Sequence, residues 1–561
     1  MSTPVKWKKG WSRRKFLTNI GMIGGVAALY ETMVAMNMIN TPGPWDGPPK
    51  LDKTHGIGKS VLVLGAGIGG LTSAYLLSQY GYRVQILEAS DRAGGRNHTA
   101  RRGTMIIEES TDHGTTYQEC NFDSNLYMNL GPGRLPYHHR RVLNYCQELN
   151  VALEPYIMNT TGNLFQTTKS ADKKPRVYRQ IQNDAKGYIS ELLAKAVNQG
   201  ALDQELTPED RQKLLGLLKT FGPLQENYAY TGSTRDGCGP GPDGAPTPNV
   251  YRNCEVPETM TLDQLLTEEF WENSFYDPVE FEWQPTLFEP TGGMDMIVEG
   301  FLKKVGHLIT YNAPVVEVKV DDDSTTVCYK KGAEIAKMKA DYVVSNIPCP
   351  ILKDIKNNFS RDFEEAVTRT TFSPSCKVGW QCNTRFWESN KYEIYGGISW
   401  TNDIIEQIWY PSTGYFTQKG TLTGAYIHGD NAAKFGTYDL AKRLRVAKEG
   451  GARLHDEFND NSIVPTELGL SIAWQNIPYM AGAWPSWGDD VNDDKDYERL
   501  LMPDRSFYIV GDQASTLPGW QEGAMMSAEH VIELIGGLKP HVSPEGVRAP
   551  NTLKVTQGIG R

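Results

Sequence analysis

The sequence predicts an α/β fold, and three consecutive features near its start support that class. A short apolar run, Val61–Leu64, has the length of a buried parallel strand and leads into a glycine-rich turn. Leu71–Gln79 follows with helical spacing, and Tyr82–Leu87 forms a second strand that ends at an acidic residue, Glu88. This order of strand, turn, helix, strand and acid predicts a Rossmann-like βαβ unit that binds a dinucleotide.

The turn between the first strand and the helix carries the residues that predict a phosphate cradle. It reads GAGIGG from Gly65, which fits GxGxxG with glycines at Gly65, Gly67 and Gly70. The first glycine permits the tight turn, the second lets the backbone approach a pyrophosphate, and the third lets helix and strand pack closely. Gly69 belongs to the same predicted cofactor site, and Glu88 can accept hydrogen bonds from ribose hydroxyls.

Length, charge and cysteine content limit the number of domains and the kinds of partner that the protein can have. With 561 residues the chain exceeds what one hydrophobic core usually supports, so two or more domains are expected. A formal net charge of −10, with no basic stripe after the N-terminus, argues against a nucleic-acid partner. The cysteines show no metal-binding spacing, so no metal site is predicted. Cys238 and Cys254 flank a glycine- and proline-rich loop and are the one pair expected to form a disulfide.

The N-terminal residues 1–40 are predicted to lie outside the fold. Six basic and no acidic residues precede a short apolar run, and Ser12–Leu17 resembles a twin-arginine export signal. That pathway carries folded proteins, so we expect a periplasmic or secreted protein that meets the twin-arginine translocon during export. No clear cleavage site follows, and the alternative is a retained membrane anchor facing the periplasm. Residues 41–58 are predicted to be a linker and 541–561 a C-terminal tail.

The residues that follow Glu88 identify a flavoprotein resemblance. Ala89–Thr99, "ASDRAGGRNHT", resembles the R-x-G-G-R-x-x-[ST] run of flavoproteins of the amine-oxidase family. The resemblance implies FAD as the cofactor, with Arg92, Gly95 and Arg96 in its site and Arg96 near the pyrophosphate.

Two later segments resemble other parts of the same family's cofactor domain. Tyr508–Gly537 resembles the closing FAD motif, which implies that Gly511 and Asp512 bind FAD and that the helix after Trp520 stabilises reduced flavin. Pro290–Val320 resembles the middle FAD segment, with Val316 against the adenine. The absence of a cysteine between Asp512 and Ser527 predicts non-covalent FAD.

The resemblance also implies the domain organisation. An FAD-binding domain of the glutathione-reductase-2 type is expected from residues 59–130, 288–350 and 470–540. Residues 131–287 are expected to form a helical and substrate-domain insertion, and 351–469 a substrate-binding domain with a mixed sheet. Within the insertion, Thr207, Pro208 and Gly222 predict the N-cap, first residue and end of one helix.

The segment "GPGRLPYHHR" resembles the part of L-amino-acid oxidases in which an arginine binds the substrate carboxylate. Here that arginine is Arg134, on a backbone stiffened by Pro132 and Pro136, and Gly133 and Arg134 are both also expected to border the cofactor. A desolvated carboxylate needs charge and paired donors. By the same resemblance Tyr426 adds its hydroxyl. The neighbouring His138 and His139 are expected to point opposite ways, with no further metal ligand nearby.

Three further positions complete the expected site. Ser373–Trp387 resembles the segment in which a lysine, here Lys377, bonds through a water to flavin N5. Trp474 and Trp520 correspond to residues that wall the space in front of the flavin. Gly519 would accept a hydrogen bond from the substrate amine through its carbonyl.

The resemblance implies an FAD-dependent L-amino-acid oxidase that converts its substrate and O2 to a 2-oxo acid, ammonia and hydrogen peroxide. No histidine lies between His139 and His307, which fits a substrate that reacts as the neutral amine without a dedicated base. A primary amine oxidase and an oxidative decarboxylating amino-acid monooxygenase share every motif. A membrane-tethered flavoprotein that reduces a quinone is the alternative of another class. A homodimer and a broad preference for neutral and aromatic amino acids are expected.

Overall fold

The structure is a computed structural model that describes Trp45 and residues 47–239, 248–272, 280–488 and 491–538. The predicted export signal and C-terminal tail lie outside these residues. All the elements below belong to one compact unit, Pro49–Arg561. Among the helices described, none is both long enough and apolar enough for a membrane crossing.

The strands are numbered in chain order. They are β1 (Ser60–Leu64), β2 (Arg83–Leu87), β3 (Thr99–Ala100), β4 (Met105–Ser110), β5 (Gly114–Glu119), β6 (Met128–Asn129), β7 (Leu135–Pro136), β8 (Leu153–Tyr156), β9 (Leu164–Gln166), β10 (Arg176–Val177), β11 (Leu287–Pro290), β12 (Ile309–Thr310), β13 (Val315–Val320), β14 (Thr325–Lys331), β15 (Glu334–Ala340), β16 (Tyr342–Ser345), β17 (Lys356–Asn357), β18 (Thr371–Ser373), β19 (Ser375–Cys382), β20 (Ile398–Thr401), β21 (Gln407–Trp409), β22 (Gly420–His428), β23 (Gly469–Ala473), β24 (Trp484–Ser486) and β25 (Phe507–Ile509).

The helices are numbered in the same way. They are α1 (Ile68–Gln79), α2 (Arg140–Glu148), α3 (Tyr178–Asn198), α4 (Pro208–Phe221), α5 (Leu262–Glu268), α6 (Met296–Val305), α7 (Cys349–Leu352), α8 (Arg361–Arg369), α9 (Gly429–Gly436), α10 (Leu440–Gly451), α11 (Val491–Leu500) and α12 (Gln521–Ile535).

A five-stranded parallel sheet forms the first layer, in the order β12-β2-β1-β16-β25. Its central strand β1 is buried along its whole length, which explains why its sequence is continuously apolar rather than alternating. Helices α1 and α12 pack beside this sheet in one apolar core. Segments far apart in the chain therefore build the predicted α/β fold. A separate four-stranded sheet has the order β15-β14-β13-β17, and three of its strands lie in the chain between β12 and β16.

A seven-stranded mixed sheet forms the second large layer, in the order β10-β9-β20-β21-β22-β19-β23. Strand β19 is buried throughout and lies between β22 and β23. In this register Lys377 pairs with Tyr426 on β22 and with Ile472 on β23. Paired residues on neighbouring antiparallel strands lie side by side, so the sheet alone brings two predicted site residues together.

The insertion confirms two local predictions. Helix α4 begins at Pro208, the Thr207 hydroxyl accepts a hydrogen bond from the Asp210 N–H at 3.2 Å, and Gly222 follows the last turn. Cys238 and Cys254 form a disulfide with an S–S distance of 1.97 Å. The other cysteines of the described residues are buried free thiols.

Candidate active site

The glycine turn after β1 depends on the small size and conformational freedom of its glycines. Gly65 adopts a φ of +94°, which disfavours other side chains. A Cβ on Gly70 would lie 2.1 Å from the Gly65 carbonyl oxygen, and one on Gly67 would lie 2.3 Å from Nδ2 of Asn346. The turn therefore packs against α1 and against the end of β16, as a dinucleotide-binding turn requires.

Glu88 lies at the carboxyl end of β2 and is almost fully buried. Its Oε2 accepts a hydrogen bond from the Ala66 N–H at 2.7 Å, and its Oε1 accepts one from the Ser90 N–H at 2.9 Å. The carboxylate is thus fixed to the glycine turn itself. Its expected contact with a ribose stays a prediction.

One cavity connects the glycine turn with all the predicted substrate residues except Arg134. Its wall is formed by the following predicted residues: Gly65, Gly67, Gly69, Glu88, Gly95, Arg96, Lys377, Tyr426, Trp474, Gly511, Asp512, Gly519 and Trp520. Val315 belongs to this wall, whereas Val316, Arg92, Gly70, Gly133 and Arg134 are not part of it. The strand alternation turns Val315 rather than Val316 toward the cavity.

The cavity wall fits FAD. A Cβ on Gly95 would meet only the Gly67 Cα at 3.7 Å and the Met480 sulfur at 4.0 Å, so the backbone there opens onto free space. At the start of α12 the buried Nε2 of Gln521, which also lines the cavity, has no hydrogen-bond partner in the described part of the chain. No cysteine occurs among the residues that line the cavity. These features suit a large dinucleotide, and its non-covalent attachment stays a prediction.

The first and last predicted cofactor motifs meet in an ion pair. Arg96 donates to Asp512 through Nη1, at 3.0 Å from Oδ2, and through Nη2. Asp512 also accepts a hydrogen bond from the Gly519 N–H at 2.9 Å. The structure therefore brings together Arg96, Asp512 and Gly519, each of which the sequence placed at the site separately. Their contacts with cofactor and substrate stay predictions.

Lys377 is buried at the inner end of the cavity, with 1% of its surface exposed. Its Nζ donates to the carbonyl oxygens of Asn129 at 3.1 Å and Gly131 at 2.6 Å. Burial, assisted by the positive charge of Arg134, lowers the pKa of Lys377 to about 7. An ammonium of this kind can lose its proton at neutral pH, which an ordinary surface lysine cannot.

Arg134 lies in a cage of three tryptophans. Its guanidinium carbon is 5.2 Å from the ring centroid of Trp409, 5.7 Å from that of Trp520 and 5.9 Å from that of Trp283. Its Nε is buried without a hydrogen-bond partner, and no carboxylate of the described residues forms an ion pair with it. Aromatic faces stabilise the cation but offer no acceptor to its Nε–H, which has none among the described residues.

The positive charge of Arg134 affects the pKa values of two neighbouring tyrosines. Burial raises the pKa of Tyr426 to about 12 and Arg134 opposes the rise. Burial likewise raises the pKa of Tyr156, against the opposing effects of the Arg134 charge and of a side-chain hydrogen bond with Arg134. The site thus combines neutral phenols with a cation that pairs with no carboxylate of the described residues, an arrangement suited to an anion.

The loop that carries Arg134 is fixed by the small antiparallel sheet β7-β11-β8. Leu135 pairs with Phe288 and Pro136 with Leu287. Gly133 must be a glycine, because a Cβ there would lie 2.5 Å from the indole of Trp409. Glycine at this position therefore lets the tryptophan reach the arginine.

The prediction that His138 and His139 point opposite ways with no further ligand nearby is wrong. Nε2 of each ring lies 3.0 Å from Oε2 of Glu282. The chain bends into a turn after β7, and the β7–β11 pairing brings the 3-10 turn Phe281–Trp283 alongside. Burial opposes ionisation of Glu282, but the two imidazoles outweigh it and lower its pKa to about 2.

Trp474 is buried, and its Nε1 donates to the Leu130 carbonyl oxygen at 3.0 Å. Its indole therefore forms a fixed part of the cavity wall. Trp520 lies at the N-cap of α12 and joins this wall to the Arg134 cage.

Sequence reasoning gave no role to several residues at the site. Trp283 and Trp409 complete the Arg134 cage, and His428 packs against Tyr426 at 4.1 Å between ring centroids. The Nδ1 of His428 lies 3.0 Å from Oε2 of Glu406. No spacing in the sequence signals these residues, because strand register and the β7–β11 pairing bring them in.

A second cavity meets the first at Lys377, which lines both. Glu289 on its wall is 5% exposed, and its Oε1 has no partner among the residues described. Burial, together with the nearby Glu154, raises the pKa of Glu289 to about 8. A carboxyl group in this state is protonated at neutral pH.

Comparisons with known proteins agree with this geometry. A family model described as flavin containing amine oxidoreductase matches residues 68–533. The flavin-dependent L-tryptophan oxidase RebO of Lentzea aerocolonigenes is 26% identical over 85% of this chain and 98% of its own length. An L-amino-acid oxidase of Crotalus adamanteus is 24% identical over 84% of this chain and 85% of its own.

Solved structures support the same fold. Putrescine oxidase, in its wild-type form bound to putrescine, superposes with a TM-score of 0.52 at 16% identity, over 85% of this chain and 98% of its own. Cyclohexylamine oxidase from Brevibacterium oxydans IH-35A superposes with a TM-score of 0.51 at 14% identity, over the same shares of the two chains. The glycine turn, the continuous cavity and the family match over most of the chain lead to one conclusion: the protein belongs to the flavin-containing amine oxidoreductase family.

Proposed function

We propose that this protein is an FAD-dependent L-amino-acid oxidase. The observation that carries the proposal is the state of Arg134, a caged guanidinium that has no carboxylate partner among the described residues. A simple amine offers nothing to such a group. An α-amino acid offers a carboxylate, which pairs with a guanidinium through two parallel hydrogen bonds.

Different residues of the site would bind the cofactor, the substrate carboxylate and the substrate amine. The FAD would lie along the glycine turn, Glu88, Gly511 and Asp512, and when bound it supplies the acceptor for the hydride of the substrate. Arg134, and Tyr426 through its hydroxyl, would hold the carboxylate. The Gly519 carbonyl would accept a hydrogen bond from the amine. Holding the substrate in one orientation is the main contribution of such a site to the rate.

Lys377 would hold and exchange a proton near the reacting atoms. Its pKa of about 7 lets it exist in either protonation state at neutral pH. Lys377 also lines the second cavity, whose wall includes further polar groups. The oxidised substrate is an imine, which water hydrolyses to a 2-oxo acid and ammonia while O2 is reduced to hydrogen peroxide. A water held by Lys377 would serve this hydrolysis.

The rival activities make different demands on the site. The solved relatives that act on putrescine and cyclohexylamine have this fold, so the fold alone does not distinguish an amine from an amino acid. The unpaired Arg134 favours the amino acid over a primary amine. It does not separate the oxidase from a decarboxylating monooxygenase or from a quinone-reducing carrier, which the products and the electron acceptor decide.

The proposal includes export of the folded holoprotein through the twin-arginine pathway and assembly as a homodimer. The Cys238–Cys254 disulfide supports export, because disulfides persist in oxidising compartments such as the periplasm. A mass measurement in solution tests the dimer. Retention of the N-terminal segment on the mature protein would instead favour a membrane-anchored form.

The test of the proposed activity is hydrogen peroxide release across the proteinogenic L-amino acids, with D-enantiomers and simple amines as controls. We expect turnover of L-amino acids, an equivalent yield of ammonia and 2-oxo acid, and little activity on the controls. Turnover confined to amines, a carboxamide product, or activity only with a quinone would contradict it.

A further inference from the structure

We propose that His138, His139 and Glu282 form a binding site for one divalent transition-metal ion of the zinc class. The three side chains come from two segments that the fold holds side by side. His138 and His139 follow β7, and Glu282 lies in the 3-10 turn that precedes β11. The β7–β11 pairing, extended by a hydrogen bond from the Tyr137 N–H to the Thr286 carbonyl at 3.1 Å, fixes the distance between them.

The geometry suits an ion of this size. The two Nε2 atoms and the Glu282 oxygen all lie within 4.8 Å of one another, and each Nε2 is 3.0 Å from Oε2. Ligand atoms of a tetrahedral zinc site lie about 3.4 Å apart, given bond lengths of ~2.0–2.2 Å. To admit the ion, the carboxylate oxygen would move outward by a few tenths of an ångström, and the two imidazole nitrogens would move toward each other until they reach the same spacing. A donor set of two imidazoles and one carboxylate binds zinc in preference to calcium or magnesium.

Packing holds the imidazoles in place before any ion arrives. His139 is 1% exposed and meets the Trp520 ring edge-on at 4.8 Å, while the His138 ring lies 4.2 Å from that of Phe281. The side chain of Glu282 is 35% exposed, which gives an ion a path from solvent and leaves room for water as a fourth ligand.

The same packing limits the affinity. Neither Nδ1 atom has a hydrogen-bond partner in the described part of the chain, whereas metal-bound imidazoles usually donate this N–H to an acceptor. The loss of such a partner weakens metal binding by about 10–100-fold. We therefore expect a dissociation constant on the order of 1 μM, weaker than that of a four-ligand structural zinc site.

Metal binding would act on the neighbouring Arg134 cage. Glu282 is next to Trp283 in the chain, and His139 packs on Trp520, so the ion would tie together two of the three walls of the cage. The site would add a cross-link between the Arg134 loop and the Phe281–Trp283 turn, without touching substrate or cofactor.

The experiment uses the FAD-loaded full chain, which is first treated with a chelator to remove bound metal and then freed of the chelator. Calorimetric titration with Zn²⁺ should show one ion per chain. Glu282→Gln and His138→Asn should each bind at least tenfold more weakly, whereas His307→Asn, which removes an exposed isolated histidine, should bind as the wild type does. Ca²⁺ should not bind at the same concentrations, and Zn²⁺ should raise the Tm of the wild type but not that of Glu282→Gln.

Flavin absorbance checks that each variant is folded before titration. If the wild type shows no saturable Zn²⁺ binding, or if Glu282→Gln binds as tightly as the wild type, the three residues are only a hydrogen-bonded cluster. An equal loss in His307→Asn would also overturn the site. None of these readouts depends on amino-acid oxidation, so failure here leaves the proposed activity intact.

Discussion

Replacing Arg134 by methionine tests the proposed substrate class most directly. Methionine keeps an apolar stem of similar length inside the tryptophan cage but removes the charge and the paired donors. The cage should therefore persist, while a substrate carboxylate brought into it would lack its partner.

The magnitude follows from the surroundings of the guanidinium. Its Nε is fully enclosed, so a carboxylate bound there would be desolvated. Loss of one partner of a buried charged pair costs about 2–5 kcal/mol, which corresponds to a fall in kcat/KM of about 30-fold to several thousand-fold. The three indole contacts affect every substrate alike and do not contribute to discrimination.

The assay is steady-state kinetics on an L-amino acid and on its decarboxylated amine, with FAD occupancy measured in each variant. Arg134→Met should damage turnover of the amino acid and leave the amine, a poor substrate throughout, nearly unchanged. Arg134→Lys should rescue only partly, because an ammonium is a point charge rather than a fork. Arg140→Met is the matched control. Arg140 is an exposed arginine six residues further along the same segment, so this variant should behave as the wild type.

Equal losses on the amino acid and the amine would refute the reasoning. Arg134 would then support the loop or the cofactor rather than the carboxylate, and the assignment of L-amino acids would lose its main support.

Further predictions concern the lysine, the cofactor and the export signal. Lys377→Met should keep its FAD but slow turnover, and wild-type rates across pH would show that Lys377 has no catalytic role. Because the pKa of Lys377 is about 7 in the folded protein and 10.5 in the unfolded chain, the unfolded state binds more protons between these values. The free energy of unfolding of the wild type should therefore rise relative to Lys377→Met from about pH 7 to 10.5, and parallel curves from chemical denaturation would contradict the depressed pKa. Mild acid precipitation should release all the FAD into solution, and yellow precipitated protein would reveal covalent attachment. Arg13→Lys combined with Arg14→Lys should keep the protein in the cytoplasm, and an unchanged distribution on fractionation would remove the basis for twin-arginine export.

Local chemistry made the nucleotide end of the fold predictable. Gly65 is favoured by its φ of +94° and Gly70 by the approach of its Cα to the Gly65 carbonyl, where a Cβ would lie 2.1 Å from the oxygen, so the reason for these two glycines is steric and short-range. The same holds for the cap at Thr207, whose hydroxyl bonds to a backbone group three residues away. Interactions of this range leave a signature in the spacing of residues.

The substrate end was predictable only in part. Arg134 has a stiff local backbone that marks it, but its cage needs Trp283 and Trp409, which arrive from distant segments through strand pairing. His138 and His139 were misjudged because an extended chain was assumed where the backbone turns after β7. Val315 rather than Val316 lines the cavity, since in a strand one residue reverses the face, and the expected contact of Val316 with the adenine stays a prediction.

The order of strands in the parallel sheet bears on when the protein can acquire its cofactor during biosynthesis. Strand β1 pairs with β16, which in turn pairs with β25, and Asp512 follows directly after that last strand. A ribosome must therefore release almost the whole polypeptide before the FAD cradle can close, and such long-range parallel pairings form slowly. A chain threaded through a membrane while still unfolded would have to find its flavin on the far side, whereas one that folds first takes FAD from the cytoplasm. The FAD cradle of a newly made molecule can thus be completed only after β25, near the end of the chain, has been translated and has paired with β16.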